Sequence, residues 1–232
     1  MPFDSQDAQL KMKAGAQAAT FGQVVPSPLE QPFYDKGVKR FIDVALVLMS
    51  AVIVVPLIAV MALLVALDGH APFYTQKRIG RNGRVFRIVK MRTMVHNADA
   101  LLKEHLSKNP ELQAEWDATQ KLKHDIRITR IGRFLRKTSM DELPQLINVL
   151  TGSMSLVGPR PMMVSQQTLY PGQSYYRMRP GVTGFWQVSD RNNCSFRDRA
   201  KFDAKYEQAM SFSTDARVLA QTVSVVLRGT GY

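Results

Sequence analysis

The sequence is poor in the residues that staple or metallate a fold. Cys194 is the one cysteine in 232 residues, so no intrachain disulfide can form and no thiolate zinc cluster can be assembled. The four histidines, His70, His96, His105 and His124, have no H-x-x-x-H spacing, which disfavours a zinc site further. No signal peptide is evident at the N terminus, and with so little cysteine this predicts a reducing, cytoplasmic setting. The chain also lacks G-x-x-x-x-G-K-[ST], G-x-G-x-x-G and Asp-x-Asp. A P-loop, a Rossmann fingerprint and an Asp-x-Asp metal site are therefore disfavoured. Internal repeats and low-complexity tracts are missing as well.

Acidic residues are scarce too. Asp and Glu total 19 against 31 Lys and Arg, a net charge of +12 and a pI near 10.0. Such a balance implies anionic partners, whether nucleic acid, anionic lipid or phosphorylated small molecules, and charge does not choose among them. At 232 residues and 45% hydrophobic, the chain can bury one substantial core with appendages.

What is present divides into three parts. Residues 1–35, rich in Ala, Gln, Ser and Pro in their first three tens, read as a flexible tail. Residues 36–70 hold the uncharged run 44–67, VALVLMSAVIVVPLIAVMALLVAL, long enough as a helix for a hydrocarbon core of about 30 Å. Pro56 lies in the middle of the run, where it removes a backbone donor and kinks or breaks a helix. Basic residues flank both ends, Lys36, Lys39 and Arg40 before, Lys77, Arg78, Arg81, Arg84 and Arg87 after, and positive charge marks the cytoplasmic side. Two readings stand: a helix-break-helix that enters one leaflet and returns, or a kinked spanning helix.

Residues 71–232 make up the remaining, cytoplasmic part. Asn82-Gly83 predicts a two-residue hairpin turn, with Lys90 and Arg92 leaving the second strand on one face. Residues 97–123 read as a helical hairpin, capped by Asn97 and restarted at Asn109-Pro110. Residues 151–195 hold SLVGPRPMM and RMRPGVTGFWQVSDRN, Gly-Pro punctuation that predicts ordered loops with aimed side chains. Helices are expected over 198–208 and 214–228, stopping at Arg228-Gly229. The fold class is α+β, mainly helical with a small β-hairpin or sheet.

The chemistry centres on SMDELPQ, residues 139–145. Ser139-x-x-Glu142 matches a capping box, but Pro144 then sits deep in the helix rather than at its favoured first position. A helix beginning near Pro144 would instead present Asp141 and Glu142 on its approach. Arg130, Arg133 and Arg136-Lys137 recur at a spacing of three and end beside the acids. Arg160 is held between prolines in GPRP, a rigid setting suited to bidentate phosphate binding. A diphosphate substrate repels a carboxylate nucleophile until cations neutralise it. Once neutralised, it allows a carboxylate to form an acyl phosphate while a second acid holds Mg²⁺ or handles a proton.

The blocks KRFIDVALVL, YTQKRIGRNGRVFRIVKMRTM, RKTSMDELPQLINVLTGSMSLVGPRP and RPGVTGFWQVSDRN, in that order, resemble the signature of the bacterial sugar transferases. These are monotopic phosphoglycosyl transferases that begin exopolysaccharide and O-antigen synthesis. PELQAEWDATQKLKHDIRIT is most similar to members that use UDP-galactose, and the extra N-terminal membrane helices of larger members are not found here. The resemblance implies transfer of a sugar phosphate from a UDP-sugar to undecaprenyl phosphate, with release of UMP, through a covalent enzyme intermediate at the bacterial inner membrane. It implies Asp141 as nucleophile, Glu142 as the Mg²⁺ residue, and Lys90, Arg136, Arg160, Arg191 and Asp203 as substrate-binding positions, to which Arg92 is added as a candidate from its place on one face with Lys90. It makes Pro56 the break of a re-entrant helix, although the family's Ser-Pro pair is Val55-Pro56 here. It allows a homodimer and involves no nucleic acid. The alternative from a different class is a non-catalytic basic module docking on anionic lipid or nucleic acid, whose binding would be indifferent to Asp141.

Overall fold

The 24-residue uncharged run forms the greater part of one helix, α1, Lys39–Ala66, preceded by a single π-helical turn, Tyr34–Val38. The structure, a computed structural model, describes residues 34–119, 122, 125–189 and 196–227, all within one compact unit, Gln31–Tyr232. Residues 1–33 of the expected tail, His124, Arg191, Cys194 and the Arg228-Gly229 stop lie outside the described residues, whereas Tyr34 and Asp35 belong to the π-helical turn. At 28 residues, α1 is about 42 Å long, and it is long and apolar enough to cross a membrane.

The expected helix-break-helix is here one helix, with Pro56 inside it. Proline deprives a single carbonyl, four residues back, of its N–H partner, and the hydrogen bonds on either side carry the helix through. Both ends of α1 pack on the same body. Near the start Val47 meets Val149 and Met154, and near the finish Val65 meets Met91 and Leu135. Between them the side chains stand free, Val52 at 80% and Ile53 at 75% exposure.

A buried polar cluster fixes the start of α1. Lys39 Nζ donates to Asp215 at 2.5 Å, and the hydroxyls of Tyr34 and Tyr206 donate to the same carboxylate at 3.0 and 2.7 Å. One turn on, Asp43 accepts from the Ser155 hydroxyl at 2.6 Å and the Leu156 N–H at 3.3 Å. Removing one partner of a buried pair costs about 3 to 5 kcal/mol. Lys39→Met is therefore expected to lower the Tm of detergent-solubilised protein sharply, and an unchanged melt would show that Asp215 is held by its tyrosines alone.

After α1, β1, Phe73–Ile79, pairs antiparallel with β2, Val85–Met91, in the register Ile79↔Val85. The expected Asn82-Gly83 turn is present, both residues at positive φ (57° and 74°), but within a wider connection closed by the Gly80 N–H to the Arg84 carbonyl at 2.7 Å. The helical hairpin follows as α2, Ala98–Ser107, and α3, Pro110–Thr119, with Pro110 at the first helical position. Asn97 stands at the cap of α2 but makes no side-chain cap bond. Next come α4, Arg130–Lys137, a 3₁₀ segment Met140–Gln145, and α5, Leu146–Leu150.

The predicted loops of 151–195 conceal a second sheet. Strand β3, Ser155–Val157, runs parallel to β4, Gly181–Thr183. A Cβ on Gly184 would lie 2.1 Å from the Gly158 carbonyl oxygen, and one on Gly181 would lie 2.1 Å from the Gly158 nitrogen. These glycines let the GPRP loop and the turn before Trp186 lie backbone on backbone. Short helices α6, Ser174–Arg177, and α7, Phe185–Val188, then lead to α8, Arg199–Ala209, and α9, Phe212–Leu227. Tyr206 and Val218 pack these last two helices onto Val157.

Candidate active site

Four separate segments bring their charges to one place. Strand β2 ends with Lys90 turned inward and buried. Its backbone is held by Asn148 of α5, whose side chain accepts from the Val89 N–H at 3.0 Å and donates to the Arg87 carbonyl at 2.8 Å. Helix α4 is capped by the Thr129 hydroxyl, which accepts from the Gly132 N–H, and its last turn delivers Arg136. The chain then reverses at Ser139, a non-glycine residue at φ 56°, a conformation that costs about 1 to 3 kcal/mol and that surrounding structure must hold.

That reversal decides between the two readings of SMDELPQ. Ser139 makes no side-chain cap bond, and Glu142 does not reach back to it. The acids lie on the 3₁₀ approach to α5 and face the cations. Glu142 Oε1 accepts from Lys90 Nζ at 2.6 Å and from an Arg160 guanidinium nitrogen at 3.1 Å. Lys90 Nζ also stands 3.9 Å from an Asp141 carboxylate oxygen. Arg136, held by the Thr93 hydroxyl at 2.9 Å, adds its charge beside Asp141.

The environment splits the pair. Burial pushes the Asp141 carboxyl above the ordinary aspartate range; Lys90 draws it back and the neighbouring Glu142 charge raises it again. Burial also pushes Glu142 up, but Arg160 and Lys90, by charge and hydrogen bond, overcome it and bring Glu142 down to about 2. One acid is locked as a paired carboxylate. The other stays uncommitted.

Lys90, Arg136 and Arg160 are thus gathered around the dyad, whereas Arg191 lies outside the described residues. Arg92 goes elsewhere: its guanidinium bonds both Asp68 oxygens at 2.7 and 2.6 Å and the Val65 carbonyl at 3.0 Å, closing the end of α1. Strand β2 ends at Met91, so the alternation that would pair Arg92 with Lys90 no longer applies. Asp203 is also drawn away. It is 6% exposed and accepts the Tyr170 hydroxyl at 2.7 Å, in a cluster with Ile79 and Met162.

Burial pushes the Asp203 carboxyl up to about 7, against the Tyr170 hydrogen bond and Arg199, which lower it. An unfolded aspartate titrates near 3.9, so between about pH 4 and 7 the folded chain holds more protons and stability falls as pH rises. Asp203→Asn keeps an acceptor for Tyr170 and removes that slope. Its Tm relative to the parent is expected to climb from pH 5 to pH 8, with an upper limit of about 4 kcal/mol in the gain; a difference flat with pH would refute this.

Arg78, Arg199, Trp186 and Gln187 were not among the expected site residues. Trp186 lies between two guanidiniums, Arg160 at 5.7 Å and Arg199 at 4.2 Å from its ring centre. Burial, then the Arg160 charge, depress both Arg78 and Arg199, the latter to about 10. The Nε atoms of Arg78 and Arg199 and the Trp186 indole nitrogen are buried without a hydrogen-bond partner among the described residues. The sequence signal was there in the glycine-framed FWQ, but which arginines face it is a tertiary fact.

A small recess at the centre is lined by Arg78, Lys90, Glu142, Gln145 and Arg160. Among the described residues no three His, Cys, Asp or Glu side chains converge as a metal cage. Mg²⁺, however, is commonly held by one or two carboxylates together with substrate phosphates, and Asp141 with Glu142 fits that donor set.

Fold and site together define a protein that presents a carboxylate pair among three buried or partly buried cations, Lys90, Arg136 and Arg160. The family model for bacterial sugar transferases matches residues 34–229. The chain is 39% identical over 224 residues to the exopolysaccharide production protein ExoY of Sinorhizobium fredii, covering 95% of this chain and 99% of that one. It is 45% identical over 195 residues both to the UDP-galactose-lipid carrier transferase of Erwinia amylovora and to the undecaprenyl-phosphate galactose phosphotransferase of Salmonella typhimurium. Each of these two matches covers 83% of this chain and 41% of the relative, so the chain spans about two fifths of their length. The chain belongs to the bacterial sugar transferase family.

Proposed function

We propose that the protein transfers a hexose 1-phosphate, from UDP-galactose or UDP-glucose, to undecaprenyl phosphate and releases UMP, as the first membrane step of exopolysaccharide synthesis. The observation that carries this reading is the dyad itself, with Glu142 fixed by Lys90 and Arg160 and Asp141 left beside them. An Asp141 carboxylate oxygen attacks the sugar-bearing phosphorus. The bond from that phosphorus to the bridging oxygen breaks, and UMP departs with the electron pair. An oxygen of the acceptor phosphate then attacks the same phosphorus, and Asp141 leaves as a carboxylate.

Lys90, Arg136 and Arg160 neutralise the diphosphate that would otherwise repel an anionic nucleophile. Glu142, aided by Asp141, would hold Mg²⁺. When bound, the ion supplies further charge neutralisation across the phosphates. Glucose and galactose both enter the proposal because relatives are named for each, the Caulobacter vibrioides relative for glucose.

The membrane arrangement we infer is one-sided: both ends of α1 pack on one body, while its exposed middle enters one leaflet from the cytoplasmic face of the inner membrane. A spanning helix would require the same body on both sides of a bilayer. The test of the reaction is UMP release across a UDP-sugar panel with undecaprenyl phosphate and Mg²⁺. Release with a UDP-hexose is expected; silence across the whole panel would overturn the assignment.

A further inference from the structure

A second cavity, about 170 Å³, opens beside the dyad and shares Glu142, Arg160 and Val182 with the small recess between the cations. Its walls are mostly apolar, from Leu156, Val182, Val188, Leu219 and Val226. Into this lining the fold sets Gln187, 6% exposed, whose amide oxygen and nitrogen both lack a hydrogen-bond partner among the described residues. A buried amide left unpaired is costly, and native folds retain one where something else pairs it. Water is a poor sole answer in a cavity of this size and apolarity. A void of about 150 Å³ accepts a six-membered ring, and this one is of that order.

Beside Gln187 the hydroxyls of Thr183 and Thr222 meet at 2.7 Å, and Thr222 donates to the Val218 carbonyl at 2.7 Å. Thr222 having used its proton, Thr183 donates to it and keeps lone pairs to accept with. The cavity is therefore edged by an amide and a hydroxyl pair with unused hydrogen-bonding capacity, has apolar walls, and adjoins a cationic recess through shared residues. The amide atoms are themselves closed off, so pairing needs the Gln187 side chain to turn toward the cavity. An isoprenoid chain would fill the walls but leave the amide unpaired.

We infer that this cavity is the nucleobase subsite, and that Gln187 pairs through its amide with the imide edge of the uracil ring of a UDP-sugar. The inference rests on the UDP-sugar reading above. The diphosphate then lies across the mouth of the recess of Arg78, Lys90 and Arg160, and the base sits in the apolar cavity next to it.

The test compares UMP with ribose 5-phosphate, which lacks the base, for binding to the full-length protein in nanodiscs, alongside UMP release in turnover. Gln187→Leu is expected to weaken UMP binding about tenfold to a hundredfold, the loss of two hydrogen bonds. It should leave ribose 5-phosphate binding unchanged and the ligand-free Tm unchanged or raised. Gln187→Glu, which only accepts at neutral pH, should lose at least as much UMP affinity. Equal losses for both ligands, unchanged UMP binding, or a raised KM for the lipid acceptor alone would overturn the inference. A wild-type protein that neither binds nor releases UMP would sink the UDP-sugar reading itself, whereas normal wild-type binding and turnover with an indifferent Gln187→Leu would sink only the subsite.

Discussion

Asp141→Asn is expected to abolish turnover, with a loss of at least about a thousandfold in kcat, or about 4 kcal/mol of barrier. Incubated with a UDP-hexose and no lipid acceptor, the parent protein should gain the mass of one hexose phosphate, and the variant should gain none. The substitution should not unfold the protein. Burial already holds the Asp141 carboxyl above its ordinary range, so the folded state carries the cost of that charge, and a neutral amide removes it. The Tm at pH 8 should therefore hold or rise.

Glu142→Gln separates the two acids. Glu142 stands at about 2 through Arg160 and Lys90, well below an unfolded glutamate near 4.3. Its contribution to stability is present above about pH 4.3 and is lost as the pH falls toward 2. Removing that charge strands two partly buried cations, so Glu142→Gln should melt lower than the parent at neutral pH while Asp141→Asn does not. Covalent labelling that persists in Asp141→Asn would move the nucleophile elsewhere.

The two acids, the awkward proline and the nearby arginines made Asp141 and Glu142 a reasonable pair, and the order of the four long blocks around them singled the pair out. The local pattern left capping and presentation both open, and the left-handed turn at Ser139 is how the backbone presents the acids. Where facing depends on tertiary packing, the structure gives two of the expected side chains other partners. Arg92 shares a strand face with Lys90 only if the strand continues, and it ends one residue earlier, where the Val65 carbonyl of α1 and the Asp68 carboxylate accept from the guanidinium. Asp203 occupies a recognisable position but sits under Tyr170. Arg199 matters because α7 brings Trp186 against it, and no spacing in the chain encodes that approach. The β3–β4 ladder is two strands of three residues each, too short for any alternation to show. Pro56 was read correctly as a lost donor, but the loss of one hydrogen bond leaves the rest of a long apolar helix intact.

Lys90→Met is the sharper probe of how the site is tuned. Among the described residues Lys90 is the one cation ion-paired with both acids, 3.9 Å from Asp141 and 2.6 Å from Glu142. Of the charges that draw the Asp141 carboxyl down, it is the largest, ahead of Arg136 and Arg160. Without it burial and Glu142 act less opposed, and the Asp141 carboxyl rises further. A carboxylate nucleophile must be ionised to attack, so kcat/KM falls as pH drops through its pKa in the free enzyme. The acid limb of the pH profile should therefore move to higher pH in Lys90→Met. At neutral pH the loss of a cation beside the diphosphate should also cost roughly a hundredfold in rate. Lys90→Arg restores a charge at the same end of β2 and should return the limb toward its parental position while recovering only part of the rate, since a planar guanidinium cannot occupy the ammonium's place between two carboxylates. A Lys90→Met enzyme slowed at every pH with an unmoved acid limb would mean that Lys90 binds phosphate without setting the ionisation of Asp141.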